Sequence, residues 1–307
     1  KEEMKELTHK VIISRSLREN HIPSFKIQLK SVSSSKLIPK LSRFINKYLY
    51  KLGLGCSVNR YDNTLCLYSS MADNNLYGDF HNADIFCNFG SGAFYHKRWT
   101  NYDYPGQSSY YQALQGVENK DFYSIDLCEE NLRLPLNDDS VSLIYCSHTL
   151  EHLEEQPSLH FLAECYRVLK KSGVIRIVVP STDNDHKIAS IISRQGSIPV
   201  DVKKKIAAQV GHHILDDTSA LEEGKAFNLL VGAKFDPISF YEKCVDLGVN
   251  NNFTPSNPGR HISFWDYEKI LRVSDELSFE YCIPMYQGSS LASPFENLSV
   301  FDNTEPQ

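Results

Sequence analysis

The sequence lacks long hydrophobic runs and paired cysteines, and each absence narrows what the protein can be. No stretch of its 307 residues approaches the roughly 20 consecutive apolar residues of a membrane-spanning helix. The opening residues, KEEMKELTHKVIISRS, also lack the apolar core of a signal peptide. The eight cysteines stand singly, without a C-x-x-C pair, which argues against a cysteine zinc site and favours free thiols in a reducing compartment. We therefore expect a cytoplasmic protein without a transmembrane segment.

Acidic residues are scarce near the start of the chain. Residues 1–55 carry twelve Lys and Arg against four Glu, a net charge of +8, whereas the remainder carries 20 basic and 34 acidic residues, a net charge of −14. A basic arm on an acidic body can contact an anionic membrane surface, an anionic glycolipid or another subunit. A solvated helical face is the simpler interpretation. The pattern leaves open a homo-oligomer and a peripheral contact with the inner face of the cytoplasmic membrane. It disfavours nucleic acid as a partner, because the body would repel phosphate.

The chain divides by its patterns into an extension and a larger α/β part. Residues 37–55 have apolar side chains at helical spacing, so we predict a basic, helical N-terminal extension over 1–55. From residue 83 onward, short apolar runs alternate with helical patterns, which predicts a mostly parallel sheet with helices on both faces, within a domain of residues 56–307. Residues 181–265 break this rhythm. We predict that they form a helical insertion after the fifth strand and cap a substrate near the carboxyl ends of the strands.

Six strands and two helices are predicted within that domain. The strands cover residues 83–89, 99–103, 121–127, 141–147, 174–180 and 279–287. One helix is predicted from Pro157 to a last turn at Lys170 and Lys171, with Gly173 just past its end. The other is predicted over residues 264–277. A seventh strand at residues 298–301 is left open.

The segment DIFCNFGSGAFYHKRWTNYD, residues 84–103, carries the clearest chemical signal. It has the order strand, Gly-x-Gly turn and second strand ending on an acid, which Rossmann-like domains use to hold a cofactor that contains adenosine. Gly90 and Gly92 allow a sharp turn and a close backbone approach to the ligand. Taken alone, this turn does not separate NAD from S-adenosylmethionine.

A longer series of motifs decides between these cofactors. NFGSG, WTNYD, LPLNDDSVSLIYCSHTLEHL and LAECYRVLKKSGVIRIVVPS, in this order, resemble class I S-adenosylmethionine-dependent methyltransferases over residues 83–182. The version NFGSGAFYHKRWTNYD resembles methyltransferases of polysaccharide and lipopolysaccharide biosynthesis, nearest to an O-antigen sugar O-methyltransferase such as one acting on terminal perosamine. The resemblance implies a Rossmann-like class I fold, S-adenosylmethionine as donor with S-adenosylhomocysteine as product, and a sugar or lipid-linked polysaccharide as acceptor. Phe94 and Asn88 depart from the common motif, where a glycine and an acid are usual.

The same resemblance implies where the cofactor binds. The glycine turn would meet its methionine part, with Asn88 on the amino-acid moiety. Asp103 would accept both ribose hydroxyls, and Asp126 would contact the adenine. The implied cofactor-binding residues are Asn88, Phe89, Gly90, Ser91, Gly92, Tyr102, Asp103, Asp126, Leu127 and Ser147.

The segment HTLEH, residues 148–152, offers groups for methyl transfer. Transfer to oxygen is an in-line displacement, and a sugar hydroxyl is a poor nucleophile, so a general base or a metal should help to remove its proton. His148, Glu151 and His152 share one face of a helix start and resemble the E-x-x-E-H metal cluster of ubiquinone-pathway O-methyltransferases, with His148 replacing the first Glu. These three are the candidate ligands of a divalent metal. The catalytic candidates are His148, His152, Asp185 and His261.

Further residues could contact an acceptor, and two other functions are compatible with parts of the sequence. Asp183, His186, His212, His213 and Arg260 could reach an acceptor, although each taken singly is more often structural. One alternative function is a non-catalytic scaffold of a polysaccharide-assembly complex, in which the crowded turn excludes the cofactor and the basic extension binds glycosyltransferases. Another is an NAD-dependent nucleotide-sugar oxidoreductase, which the missing G-x-G-x-x-G motif disfavours.

Overall fold

The architecture follows from strands and helices distributed along most of the chain. The computed structural model describes residues 11–15, 26–28, 45, 48, 56–58, 64–67, 75–92, 98–104, 122–180, 187–188, 190, 196–215, 223–246, 252–255, 259–286, 289–296 and 301.

Seven of the described strands form one sheet in which every neighbouring pair is parallel. From one edge to the other, these strands are β7 (Phe122–Ser124), β6 (Trp99–Asp103), β5 (Ile85–Phe89), β8 (Val141–Ser147), β9 (Leu169–Val178), β1 (Val11–Arg15) and β10 (Tyr281–Met285). A separate antiparallel sheet contains β2 (Lys26–Gln28), β4 (Thr64–Leu67) and β3 (Cys56–Val58), in that order.

The central strands are covered on both faces. The runs IFCNF of β5 and VSLIYCS of β8 are almost continuously buried, as strands of a parallel sheet between two layers must be. The strand order reverses between β5 and β8, because β6 continues from β5 in one direction and β9 from β8 in the other. The predicted fold class is confirmed: this is a Rossmann-like α/β fold, with a parallel sheet covered by helices on both faces. Ligands of such folds bind at the carboxyl ends of the strands beside this reversal.

Helices follow the strands and pack in two places. The described helices are α1 (Glu155–Val168), α2 (Val200–Leu215), α3 (Glu223–Gly232), α4 (Pro237–Asp246) and α5 (Tyr267–Glu276), with 3₁₀ turns at Leu150–His152 and Ser293–Glu296. Phe161 of α1 and Ile270 of α5 belong to the core on one face of the sheet, together with Phe89. On the other face, Phe86 and Trp99 pack with aromatic side chains of the C-terminal region.

The boundary between α1 and β9 differs from the prediction. The helix ends at Val168, and Leu169 already pairs with Val141 of β8, so Lys170 and Lys171 belong to the strand rather than to a last helical turn. Gly173 lies inside the strand, where a Cβ would stand 2.9 Å from the Lys170 carbonyl oxygen. The pairing with β8 outweighs the helical spacing of this segment.

The six predicted strands are all present. β5, β6, β7, β8, β9 and β10 overlap the predicted ranges in turn. Of the open seventh strand at 298–301, only Phe301 lies among the described residues, where it is buried in a bend. The sheet position between β9 and β10 is occupied by β1 instead.

The N-terminal extension contains strands where a helical arm was predicted. β1 and β2 fall inside residues 1–55, and β1 joins the main sheet. The run VIISR of β1 is rich in β-branched side chains, which suit a pleated strand better than a helix. Of the predicted helix over 37–55, only Ile45 and Tyr48 are described, and both are helical.

The insertion after β9 is helical, as predicted. Helices α2, α3 and α4 pack around a shared core that includes Ala207, Val210, Ala226, Leu230 and Phe240. None of the helices described is long and apolar enough to cross a bilayer.

Candidate functional site

The turn after β5, residues 90–92 and called here the glycine turn, can only be built from glycine at its first position. Gly90 and Gly92 have φ angles of 66° and 51°, in the left-handed region that glycine adopts without strain. The Gly90 N–H donates to the Tyr102 carbonyl oxygen at 2.9 Å. A Cβ on Gly90 would lie 1.9 Å from Oγ1 of Thr149, the residue that follows β8 by two positions. The glycine turn is therefore packed directly against the start of the HTLEH segment.

Asp103, at the end of β6, holds the other end of this turn. Its carboxylate accepts hydrogen bonds from the Gly92 N–H at 2.7 Å and from the Tyr104 N–H at 2.8 Å. The side chain is buried, with 5% of the residue exposed. A carboxylate has about four lone-pair sites, so a structural hold on the turn is compatible with the predicted contact to a ribose. The sequence predicted the second role only.

Several predicted cofactor residues are also core residues. Asn88 is buried and its amide donates to the Asn101 side chain at 3.3 Å. Phe89 stacks on Tyr102, with ring centroids 4.8 Å apart. Leu127 is buried in the same core cluster. These residues are therefore buried in the core beside the glycine turn.

Two buried hydroxyls at this edge of the sheet have unmet hydrogen-bonding capacity. Within the described part of the chain, Oγ of Ser91 and Oγ of Ser147 have no hydrogen-bond partner. Ser91 lies in the glycine turn, and Ser147 is the last residue of β8. Buried hydroxyls are normally paired, so a polar ligand at the turn would satisfy both. Asp126 is placed one strand further along, where its carboxylate accepts from the Cys128 N–H at 2.8 Å.

The backbone of His148, the first of the predicted catalytic residues, is in a strained conformation. Its φ of 50° is in the left-handed region, which non-glycine residues seldom adopt, and its N–H donates to the Val178 carbonyl oxygen at 2.9 Å. The backbone thus turns sharply at the end of β8. The imidazole Nδ1 lies 3.2 Å from Oε1 of Glu151. Strain of this kind is found where a side chain must be held in one place.

Glu151 is the buried centre of the site. Its side chain is only 3% exposed. Burial alone would raise the pKa of Glu151, but the hydrogen bond from His148 and the neighbouring imidazoles of His152, His148 and His261 lower it to about 2. The group is therefore an anion surrounded by three imidazoles.

His152 and His261 complete what we call the histidine cluster, which consists of His148, Glu151, His152 and His261. Nε2 of His152 lies 4.0 Å from Oε1 of Glu151, and its Nδ1 lies 3.0 Å from the Arg260 carbonyl oxygen. The rings of His152 and His261 are 5.0 Å apart. One ligand atom each from Glu151, His152 and His261 lie within 4.8 Å of one another.

This grouping differs from the predicted set of metal ligands. The sequence suggested His148, Glu151 and His152, whereas among the described residues the group whose ligand atoms lie close enough to share an ion is Glu151, His152 and His261. His148 contacts the carboxylate instead. The reason is that His261, which the sequence marked only as a catalytic candidate, is brought to the cluster by the chain beyond the insertion.

Backbone hydrogen bonds hold the segment that carries His261 against the Leu150–His152 turn. The Glu151 carbonyl oxygen accepts from the Ile262 N–H at 2.7 Å and from the Ser263 N–H at 3.1 Å. The Leu150 carbonyl oxygen accepts from the Ser263 hydroxyl and from Nε1 of Trp265. Sequence reasoning missed these residues, because nothing in the local pattern of GRHISFWDY indicates a partner so far away.

Among the remaining candidates, the structure describes a contact with the cluster for Arg260 alone. Asp183, Asp185 and His186 lie outside the described residues, as does Phe94. His212 and His213 are helical residues of α2. Arg260 contributes its carbonyl oxygen to His152.

Part of the chain matches a known family of protein domains. Residues 89–177 match the family model of a methyltransferase domain. Similar solved structures include an S-adenosylmethionine-dependent methyltransferase from Aquifex aeolicus, at 18% identity over 56% of this chain and 87% of that chain, with a TM-score of 0.25. Another is the YcgJ protein from Bacillus subtilis, at 16% identity over 47% and 67% of the two chains, with a TM-score of 0.26. No curated protein matches the chain significantly.

A third similar structure is a complex between the Haloferax volcanii Trm112 methyltransferase activator and a methyltransferase, at 16% identity over 59% of this chain and 77% of that chain, with a TM-score of 0.28. Similarities at these TM-scores carry no argument about function. The match of residues 89–177, from the end of β5 into β9, is to the model of a methyltransferase domain, a family whose members use S-adenosylmethionine as the methyl donor.

Proposed function

We propose that this protein, whose residues 89–177 match the model of a methyltransferase domain, is an S-adenosylmethionine-dependent O-methyltransferase that acts on a sugar of a bacterial O-antigen or another surface polysaccharide. The sequence resemblance favours terminal perosamine. The reaction would take place in the cytoplasm, with the basic residues 1–55 in peripheral contact with the inner face of the membrane. The observation that carries the proposal is the histidine cluster at the carboxyl end of β8, next to the glycine turn.

The donor side of the site fits the proposed cofactor. The glycine turn permits a close approach, and the unpaired hydroxyls of Ser91 and Ser147 suit the polar amino-acid part of S-adenosylmethionine. When bound, this cofactor supplies a methyl group activated by a positively charged sulfur. Asp103 keeps the turn in shape, and we expect its carboxylate also to accept the ribose hydroxyls.

The acceptor side suits a hydroxyl. Nδ1 of His148 faces the anionic carboxylate of Glu151, which places the proton of the neutral ring on Nδ1 and makes Nε2 the basic nitrogen. His148 can then accept the proton of an acceptor hydroxyl at Nε2. A carboxylate that orients an imidazole in this way supports methyl transfer to oxygen, because a hydroxyl needs a base more than an amine does.

The first experiment tests the cofactor. S-adenosylhomocysteine at about 100 times its Kd should stabilise the protein by about 2.7 kcal/mol, which for a chain of 307 residues corresponds to a rise of about 4 °C in melting temperature. Asp103→Asn should remove most of this rise, because it loosens the glycine turn and weakens the ribose contact. Asp201→Asn, at an exposed position of α2, is the matched control and should keep it. A wild-type protein that binds no S-adenosylhomocysteine would rule out the enzyme and favour the scaffold.

The second experiment identifies the acceptor. Surface polysaccharide from cells with and without the gene is compared by mass spectrometry for methyl ethers. We expect one methyl ether to disappear and to return when the gene is restored. An unchanged polysaccharide, in a strain whose protein binds S-adenosylhomocysteine, would reject the sugar and keep the methyltransferase.

A further inference from the structure

The histidine cluster has the composition of a metal site as well as of a base. We infer that Glu151, His152 and His261 bind one divalent transition-metal ion of the zinc type, which holds the acceptor hydroxyl for methyl transfer. The binding of the ion depends on these three side chains alone. The role given to the ion rests on the proposed function.

The first argument is geometric. One ligand atom from each of the three side chains lie within 4.8 Å of one another. Ligands of one zinc ion, at metal–ligand distances of about 2.0–2.2 Å, lie about 3–3.5 Å apart. The separations in the structure exceed these by at most about 1–2 Å, so binding would require the three ligand atoms to move closer together.

The second argument comes from the tautomer of His152. Its Nδ1 is 3.0 Å from the Arg260 carbonyl oxygen, which can only accept, so Nδ1 carries a proton. In a neutral ring, Nε2 then presents a lone pair toward the Glu151 carboxylate 4.0 Å away. Two lone pairs that face each other inside a protein need a positive charge between them. A backbone carbonyl on the outer nitrogen is also how metal-binding histidines are commonly oriented.

The third argument is an unmet carboxylate oxygen. Oε2 of Glu151 is buried, and no residue in the described ranges hydrogen-bonds it. The contact with Nδ1 of His148 is made by Oε1 instead. A buried acceptor oxygen without a donor is unfavourable, and a cation bound to Oε2 would satisfy it.

The ligands are held by a rigid frame. Glu151 and His152 lie in the Leu150–His152 turn, and His261 lies in the segment that is hydrogen-bonded to the carbonyl oxygens of Leu150 and Glu151. Preorganised ligands raise affinity, since little order has to be imposed on binding. Two imidazoles and one carboxylate suit zinc, cobalt or iron better than magnesium or calcium.

The ion would complement His148 in the reaction. Three protein ligands leave coordination positions open for the acceptor oxygen, and a bound cation lowers the pKa of a hydroxyl. The acceptor oxygen forms a bond to the methyl carbon, the bond between that carbon and the sulfonium sulfur breaks, and the hydroxyl proton passes to Nε2 of His148. Atoms and charge balance without any further reactant.

The test measures metal binding in the absence of cofactor and acceptor. Tag-free protein is stripped with chelator and titrated with Zn²⁺ and, in parallel, with Mg²⁺ by calorimetry. We expect one Zn²⁺ per chain and no saturable Mg²⁺ binding at the same concentrations. His261→Asn and His152→Asn should each weaken Zn²⁺ binding at least tenfold. His160→Asn, at an exposed position of α1, is the matched control and should not.

A second measurement needs no variant. Co²⁺ added to the stripped wild-type protein should give visible d–d absorption that one equivalent of Zn²⁺ abolishes. Absence of both Zn²⁺ binding and this spectrum would overturn the inference and assign the positive charge to a protonated His152. Zn²⁺ binding that survives His261→Asn and His152→Asn would overturn it as well. S-adenosylhomocysteine binding is measured separately, so failure of the metal site is distinguishable from failure of the proposed function.

Discussion

Gly90 is the residue whose replacement the structure tolerates least. Its φ of 66° strains any side chain, and a Cβ would meet Oγ1, Cγ2 and Cβ of Thr149 at 1.9, 2.7 and 2.9 Å. The contact links the glycine turn after β5 to the start of the HTLEH segment after β8. A displacement at this point therefore moves both halves of the site.

We expect Gly90→Ala to lower the free energy of unfolding by at least about 2 kcal/mol, because left-handed strain and overlap add. It should also lower S-adenosylhomocysteine affinity at least tenfold. Chemical denaturation and calorimetry measure the two effects. Adding Thr149→Ala should recover the part that is due to overlap. Gly196→Ala, where a Cβ meets open space, is the control. Equal losses in Gly90→Ala and Gly196→Ala would contradict this account.

The residues of the site differ in how far the sequence predicts them. The glycine turn, Asp103 and the HTLEH histidines follow from local motifs, and the structure places all of them at the carboxyl edge of the sheet. The joining of His261 to Glu151 does not follow. It depends on backbone hydrogen bonds from Ile262 and Ser263 to a turn that precedes them by more than a hundred residues. No local periodicity encodes such a pairing.

At the scale of elements, one polar group joins three strands at the edge opposite the site. Asp84, just before β5, accepts from Lys170 of β9 at 2.6 Å, from Ser142 of β8 at 2.7 Å and from the His81 N–H at 2.7 Å. Burial would raise the pKa of Asp84, but these donors lower it to about 2. The carboxylate thus stabilises the fold only while it is ionised.

This cluster predicts an acid-dependent loss of stability. A carboxyl whose pKa is lower in the folded state stabilises the protein at neutral pH and loses that effect as the pH falls below about 5. Because Lys170 is partly exposed, we expect about 1–2 kcal/mol at pH 7. In urea denaturation, Asp84→Asn should be less stable than the wild type by that amount at pH 7 and by about half of it near pH 3. Asp201→Asn is the control; a difference for Asp84→Asn that stays constant with pH would exclude the mechanism.

The element boundaries show where local patterns are overruled. Helical spacing in α1 continues past Val168, yet β9 begins at Leu169 because that residue pairs with Val141. The central strands were predictable, since buried parallel strands appear as uninterrupted apolar runs. β1 was not, because its partners β9 and β10 are distant in sequence and its own run is only five residues long.

At the scale of the whole molecule, β1 makes part of the basic N-terminal region a strand of the main sheet. The sequence suggests a basic arm on an acidic body, but Val11–Arg15 lies inside the main sheet. Arg15 of this basic region is therefore paired with Met285 of the edge strand β10. Any contact of Val11–Arg15 with an anionic membrane or glycolipid would be made by a strand of the folded body.

The same strand bridges two parts of the sheet, and its removal tests the architecture. β1 pairs with β10 from Val11 to Arg15 and with β9 from Val11 to Ile13. No other strand in the described portion of the chain pairs with β10. Deleting residues 1–15 should therefore release β10 from the sheet and lower the melting temperature by at least about 4 °C, since the five residue pairings of β1 with β10 and the three with β9 are lost. Deleting residues 1–8 leaves β1 intact and should change the melting temperature little. If both truncated proteins melted at the same temperature as the full chain, β1 would contribute nothing to the stability of the sheet. Hydrogen exchange at the amides of Cys282 and Ile283 shows directly whether β10 has lost its neighbour.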